Sequence, residues 1–211
     1  MKRGNHNMTK VLVLGATGTI AQHAVKFMHA NGTDVIQFVR TPSKLRQSLN
    51  VIQGDAADVV ALKEAMTGVD VVYANLGPTN MPVFAQAVMD AMHATGVTRL
   101  IWTATAGVHD ELPVSHQANA AKMLGTTDDP TSYMGDQAAA VKLIMASDLD
   151  YTIIRPNWLT NDDQVQAVII AQFGTELPDG AISRKTVGHF VSDLVNNLTQ
   201  HQRGSISLSG K

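Results

Sequence analysis

From residue 9 to residue 156 the chain switches repeatedly between two hydrophobic periods. Residues 9–15, TKVLVLG, hold an unbroken apolar core rich in valine and end in glycine. That is the pattern of a strand buried on both faces of a parallel sheet. Over 19–30 the apolar residues Ile20, Ala21, Ala24, Val25, Phe27 and Met28 recur at helical spacing, and Asn31-Gly32 supplies a stop. The alternation then repeats. DVIQFV at 34–39 precedes a short helix after Pro42, NVIQGD at 50–55 a helix over 58–66, and VDVVYANLG at 69–77 a helix after Pro82. RLIWTAT at 99–105, a helix through 137–146 and YTIIR at 151–155 complete the series.

Strands that alternate with helices imply a parallel sheet, because each parallel connection needs a crossover and right-handed crossovers dominate. The expected fold is therefore α/β: a Rossmann-type, doubly wound parallel sheet in a single domain with a small C-terminal substrate lobe. Residues 1–8 read as a flexible lead-in, with Met8 as an alternative start, and 9–211 as the domain. Two stretches break the rhythm, 106–131 and 157–180. Both follow the C-terminal end of a strand, the edge where doubly wound sheets bind ligands, so both are expected to wall the substrate site. A last helix over 185–198 and a short strand over 205–208 close the domain.

Composition narrows the function classes. With 45% hydrophobic and 16% charged residues the chain can bury a sizeable core. Its formal net charge of -2 gives no field that would draw it to nucleic acid or an anionic membrane. No apolar run approaches the ~18 residues of a membrane span. The chain has no cysteine, which removes thiolate catalysis and cysteine zinc sites and makes the cytoplasm the expected location.

Between the first strand and first helix lies Gly15-Ala16-Thr17-Gly18-Thr19-Ile20-Ala21, a G-x-x-G-x-x-A match. Gly15 permits the tight turn, Gly18 lets a pyrophosphate approach the backbone, and the small Ala21 allows close helix packing. The unpaired amides at the helix start, from Thr19 and Ile20 onward, suit an anion. About 20 residues later, at the end of the second strand, an acidic residue would select NAD and an arginine would suit the 2′-phosphate of NADP. Arg40 stands there, with Ser43 and Lys44 as helpers, whereas Asp34 lies at the opposite end of the strand. The expected cofactor is NADP(H) in preference to NAD(H).

VLVLGATGTIA, FVRTPSKL, VIQGDAAD, VDVVYANLG, RLIWTATAGV and above all SDLDYTIIRPNWL at 147–159 together resemble the atypical short-chain dehydrogenase/reductases. The likeness is to the NmrA-like, NAD(P)H-binding type that includes flavin and biliverdin-IXβ reductases. The resemblance implies that Asp55 and Ala56 lie by the adenine and that Leu76 and Gly77 line the cofactor cleft. It also implies that the strand end at Thr103–Thr105 faces the nicotinamide, with Pro156 and Asn157 on its far side.

In the wider superfamily a serine and a Tyr-x-x-x-Lys pair move the proton, the lysine charge lowering the tyrosine pKa. Here the corresponding residues are Thr105 and Tyr133-x-x-x-Gln137. A neutral amide supplies no charge, so Tyr133 is expected to stay near the unperturbed value of about 10. Thr105 and Tyr133 are the candidate catalytic residues, Thr105 as a hydroxyl that orients substrate and Tyr133 as a pocket aromatic. A flavin or quinone accepts hydride at a ring without a tuned tyrosine. About 55 residues follow Pro156, too few for a large substrate domain. Two functions therefore stand: an NADPH-dependent reductase of a small planar acceptor, and a non-catalytic NADP(H)-binding regulator or sensor.

The remaining signals read as background. Eight histidines include no H-E-x-x-H motif and no metal-binding helical pair. His109 and His116 read as solvated loop histidines, the methionines as core filler. Ser115 and Ser132 lack the nucleophile elbow of a serine hydrolase. No metal, nucleic-acid or membrane partner is expected, and the oligomeric state is not readable.

Overall fold

The computed structural model describes residues 8–211, so residues 1–7 of the expected lead-in lie outside the described residues. In β1 (Lys10–Leu14) every side chain after Lys10 is fully buried. Val11 and Val13 point into one core and Leu12 and Leu14 into another, because side chains alternate across a strand. A strand apolar at every position therefore serves two cores at once.

The chain continues through α1 (Thr19–Ala30), β2 (Asp34–Val39), a 3-10 turn at Pro42–Lys44, β3 (Val51–Gln53), α2 (Val59–Ala65), β4 (Val71–Ala74) and α3 (Met81–Thr95). β5 (Arg99–Thr103), α4 (Val114–Leu124), α5 (Tyr133–Ala146), β6 (Asp150–Pro156), β7 (Leu159–Thr160), β8 (Val168–Gln172), β9 (Ile182–Ser183), α6 (Arg184–Asn196) and β10 (Gly204–Gly210) follow. The main sheet has the order β3-β2-β1-β4-β5-β6-β10-β8, and all its pairs are parallel except β10 with β8. Helices α2, α3 and α5 cover one face around the fully buried Trp102, and α1 and α6 cover the other. This is the expected doubly wound Rossmann-type fold. After β3 the chain crosses back to β4 beside β1, so the seam between β1 and β4 is the topological switch point where such sheets open a ligand crevice.

Three details differ from expectation. Residues 106–131 contain a helix, α4, of which only Ala120 is buried. Without an apolar stripe it offers no helical period to read. Helix α5 begins at Tyr133, where Ser132 accepts from the Gly135 amide as an N-cap. The C-terminal strand is longer than expected, seven residues, and carries β8 antiparallel on its outer side. β8 is a partly exposed edge strand, so its pattern lacks the alternation of a half-buried one. Among the described residues no helix is long and apolar enough to cross a membrane.

The 157–180 stretch joins the sheet through the β8–β10 ladder, whereas the 106–113 loop is tied to it by one buried ion pair. Arg155 on β6 donates to Glu111, and their side chains are 1% and 5% exposed. Glu111 also accepts from the Gly107 and His109 amides at 3.1 and 2.8 Å, and its own carbonyl accepts from Leu177. Arg155 also donates to the Ser205 carbonyl at 3.3 Å. Burial alone would raise the Glu111 pKa, but the Arg155 charge and the surrounding amides outweigh it and hold the carboxyl below its ordinary range. Removing one partner of such a pair leaves the other charged and buried, at a cost of roughly 3–5 kcal/mol.

Because the folded pKa of Glu111 is depressed, its contribution to stability is present above the ordinary carboxylate range and is lost as pH falls through the folded value. Glu111→Gln should lower unfolding stability at pH 7 by about 3 kcal/mol and should flatten the acid side of the stability profile. Urea unfolding from pH 3 to 7 measures both. An unchanged midpoint at neutral pH would show that the pair is not what holds the 106–113 loop.

Candidate functional site

The phosphate loop is tight for local reasons. Gly15 has φ +70°, and a Cβ there would stand 2.3 Å from the Asn75 carbonyl oxygen. Its amide donates to the Phe38 carbonyl at 3.1 Å, and the Gly18 amide donates to the Gly15 carbonyl at 2.9 Å. Gln22 closes the loop from α1 by donating to the Thr17 carbonyl at 2.6 Å. Helix α1 then starts with no side-chain cap and no acidic residue in its first turn. Asp58, Ser132 and Ser183 do cap α2, α5 and α6. At α1 the open amides and the positive end of the helix dipole face the crevice, an arrangement suited to an anion.

Two adjoining clefts occupy the C-terminal edge of the sheet. The first, about 390 Å³, is lined by Gly15, Thr17, Gly18, Arg40, Lys44, Asp55, Ala56, Leu76 and Gly77, among others. The second, about 380 Å³, is lined by Ile20, Thr103, Thr105, Pro156, Asn157, Trp158 and Arg184, together with Leu112, Ala120 and Leu124 from the 106–131 stretch. Four residues line both: Asn75, Leu76, Tyr133 and Gln137. The expected site residues thus gather at one edge, apart from Thr19, whose exposed side chain lines neither cleft. Ser43 also lines neither. Arg40 is exposed at the mouth of the first cleft beside Lys44, two cations near Asp55 and Ala56.

At the junction, Tyr133 and Gln137 stand one turn apart on α5 and so share a face. Gln137 is 3% exposed, and its Oε1 is buried without a partner among the described residues. The Tyr133 phenol departs from the value expected from the sequence. Burial raises its pKa, and the nearby Thr105 hydroxyl only partly offsets the rise. A phenol that is harder to ionise is even less suited to proton exchange at neutral pH.

Beneath the junction Tyr73 is fully buried. Its hydroxyl lies 3.2 Å from the Thr103 hydroxyl and donates to Asn75 Oδ1 over a long 3.5 Å. Asn75, Trp158 and Arg184 escaped the sequence reading. Only Asn75 left a signal, as the residue that ends the strand across the switch point from Gly15. Arg184 holds the far wall by donating to the carbonyls of Leu159 and Thr160 and to Asn161 Oδ1 at 2.9 Å.

His116 is exposed, but His109 is not the solvated loop residue expected. Its ring packs on Phe173 at 4.4 Å and its Nε2 lies 2.9 Å from the Ser205 hydroxyl, behind the site rather than in it. Among the described residues no three histidine or carboxylate side chains gather as a metal site.

Residues 15–198 match the model of a protein family described as NAD(P)H-binding. The chain belongs to that family. A Rossmann-fold NAD(P)-binding family protein from Shigella flexneri is 31% identical, with a TM-score of 0.79 over 96% of this chain and 94% of its own. A wide-type short-chain dehydrogenase/reductase from Veillonella parvula, solved in complex with NADP, shares the fold at 24% identity and TM-score 0.82, over 95% and 94% of the two chains. ChuY, an anaerobillin reductase from Escherichia coli O157:H7, shares it at 19% identity and TM-score 0.77, over 96% and 97%. No curated protein matches the chain by sequence. The residues of this family member fit a dinucleotide. Gly15 and Gly18 let Asn75 pack directly against the loop that lines the first cleft, the α1 amides are open to an anion, and Gln137 keeps an unpartnered acceptor beside the junction.

Proposed function

We propose that the protein is an NADPH-dependent reductase that reduces a small planar acceptor, such as a flavin or quinone. The observation that carries this reading is the uncharged junction between the two clefts, where Asn75, Leu76, Tyr133 and Gln137 line both. The α1 amides and Gly18 would hold the diphosphate, and Arg40 with Lys44 the 2′-phosphate. Asp55, Ala56, Leu76 and Gly77 would line the adenosine half and the path to the junction. Thr103, Thr105 and Pro156 would face the nicotinamide side.

When bound, the dihydronicotinamide supplies a hydride, and the acceptor takes that hydride and one proton. Thr105 orients the acceptor by a hydrogen bond from the second cleft, and Tyr133 stays protonated as a wall. The proton comes from solvent, because no group of the junction ionises near neutrality and a flavin or quinone ring stabilises the charge that the hydride brings. Such an acceptor needs no tuned tyrosine, which accounts for a glutamine where the superfamily keeps lysine. The Shigella relative and the NADP-bound Veillonella structure support a dinucleotide in this cleft, and the reductase among the structural neighbours supports hydride transfer.

The same glutamine favours a second reading, a non-catalytic NADP(H) sensor. NADPH oxidation with a panel of flavins and quinones separates the two, since a sensor binds the nucleotide and leaves it unoxidised with every acceptor.

The cofactor assignment predicts tighter binding of NADPH than of NADH, because a guanidinium forms charge-assisted, often bidentate bonds with the 2′-phosphate. Arg40→Ala should erase most of that preference in calorimetric titrations. Equal affinities in the wild type would remove Arg40 from the site.

The mechanism predicts that Tyr133→Phe slows acceptor reduction by less than about tenfold, whereas a positioned general acid contributes ~100-fold or more. Thr105→Val should cost more than Tyr133→Phe. Because the Tyr133 pKa is raised, the phenol stays protonated and kcat/KM should be flat between about pH 6 and 9. A thousandfold loss in Tyr133→Phe, or a bell-shaped profile lost with it, would restore a tyrosine-based mechanism.

A further inference from the structure

The close packing at the switch point singles out Asn75. Its amide donates to the Leu14 carbonyl at 3.0 Å, which extends the β1–β4 ladder by one residue and fixes Asn75 beside the phosphate loop. Alternation along the strand puts Asn75 on the same face as Tyr73, the face covered by α1. From there its side chain reaches across the loop, with Nδ2 2.3 Å from where a Cβ on Gly18 would be.

The two ends of the Asn75 amide are used differently. Oδ1 accepts from the Tyr73 hydroxyl, which lies beside the Thr103 hydroxyl in a fully buried setting. Nδ2 has no acceptor among the described residues and lies against Gly18 at the uncapped start of α1, where Asn75 lines the first cleft. A buried hydroxyl that donates to one end of an amide sets which end points outward. A neutral donor is thereby turned toward the region suited to an anion, and no acidic side chain in the first turn of α1 competes for it.

We propose that Asn75 is a side-chain donor to the dinucleotide, bonding through Nδ2–H to the diphosphate or to the ribose on its nicotinamide side, and that Tyr73 is its positioning residue. The proposal rests on the cofactor reading above and adds to it a group that the glycine motif does not contain. It also changes what Gly18 is for. The glycine makes room for the Asn75 amide as well as for the diphosphate, so loop and donor form one unit.

The test titrates NADPH and, separately, adenosine 2′-monophosphate into wild type, Asn75→Ala, Asn75→Asp and Tyr73→Phe, with thermal melting to confirm folding. Adenosine 2′-monophosphate keeps the adenosine half and lacks the diphosphate. Asn75→Ala should weaken NADPH binding about tenfold, the worth of one hydrogen bond to a charged group. Asn75→Asp should weaken it about a hundredfold, since a carboxylate then faces the anion. Tyr73→Phe should weaken it about threefold by releasing the amide. All three should bind adenosine 2′-monophosphate within about twofold of wild type, a contrast that general loosening of the fold would not produce.

Should Asn75→Ala misfold, Asn75→Asp against Asn75→Ser carries the same comparison, with the aspartate again the weaker binder. NADPH binding unchanged in the Asn75 variants, or Asn75→Asp no weaker than its neutral counterpart, overturns the proposal. Wild-type protein that binds neither nucleotide overturns the cofactor reading and this proposal together. Wild-type protein that binds both, with Asn75 variants that do not differ from it, overturns this proposal alone.

Discussion

At the seam between β1 and β4, the Asn75 carbonyl oxygen occupies the space that a side chain on Gly15 would need. This single close approach sets the geometry of the edge. It forces a glycine at positive φ directly after β1, which turns the chain sharply enough to start α1 at Thr19. Helix α1 therefore begins over the switch point with its open amides facing the crevice. The two cores formed by the alternating side chains of β1 hold the loop rigid from beneath.

The opposite wall is held by a different kind of force. Loop 106–113 and α4 bury few apolar side chains, Ala106 and Val108 in the loop and only Ala120 in α4, and the 157–180 stretch joins the sheet through the β8–β10 ladder. The 106–113 loop is fastened by the buried Glu111–Arg155 pair, which joins it to β6 and, through the Ser205 carbonyl, to β10. A buried pair of this kind contributes little net stability compared with a well-packed apolar substitute, but breaking it is costly, so it specifies one arrangement. The division suits the proposed chemistry. The cofactor side rests on packed strands, and the acceptor side on polar contacts around a cleft of modest volume.

The parts of the molecule legible in the sequence were those whose requirements are local. Val11–Leu14 reads as a doubly buried strand because each residue is apolar, and Gly15 and Gly18 read as a phosphate loop because backbone geometry demands them there. Arg40 was found by its distance from that loop, and it does stand at the mouth of the first cleft. What failed to show was what only tertiary structure creates. β8 and α4 are half-exposed and carry no period. Glu111 and Arg155 are 44 residues apart and look like ordinary surface charges until the fold buries them. The raised pKa of Tyr133 comes from burial, which the Tyr-x-x-x-Gln spacing does not disclose. Asn75 is a lone amide, and only the strand order puts it beside Gly18.

In the proposed function one continuous path, from Arg40 past Gly18 to the junction of the clefts, holds a dinucleotide with its reactive end among Asn75, Leu76, Tyr133 and Gln137. A crystal structure of the protein with NADP tests this most directly. The 2′-phosphate should then lie at Arg40 and Lys44, the diphosphate at the start of α1, and the nicotinamide at the junction, open to the second cleft. A nicotinamide lying outside that junction, or a 2′-phosphate remote from Arg40, would contradict it.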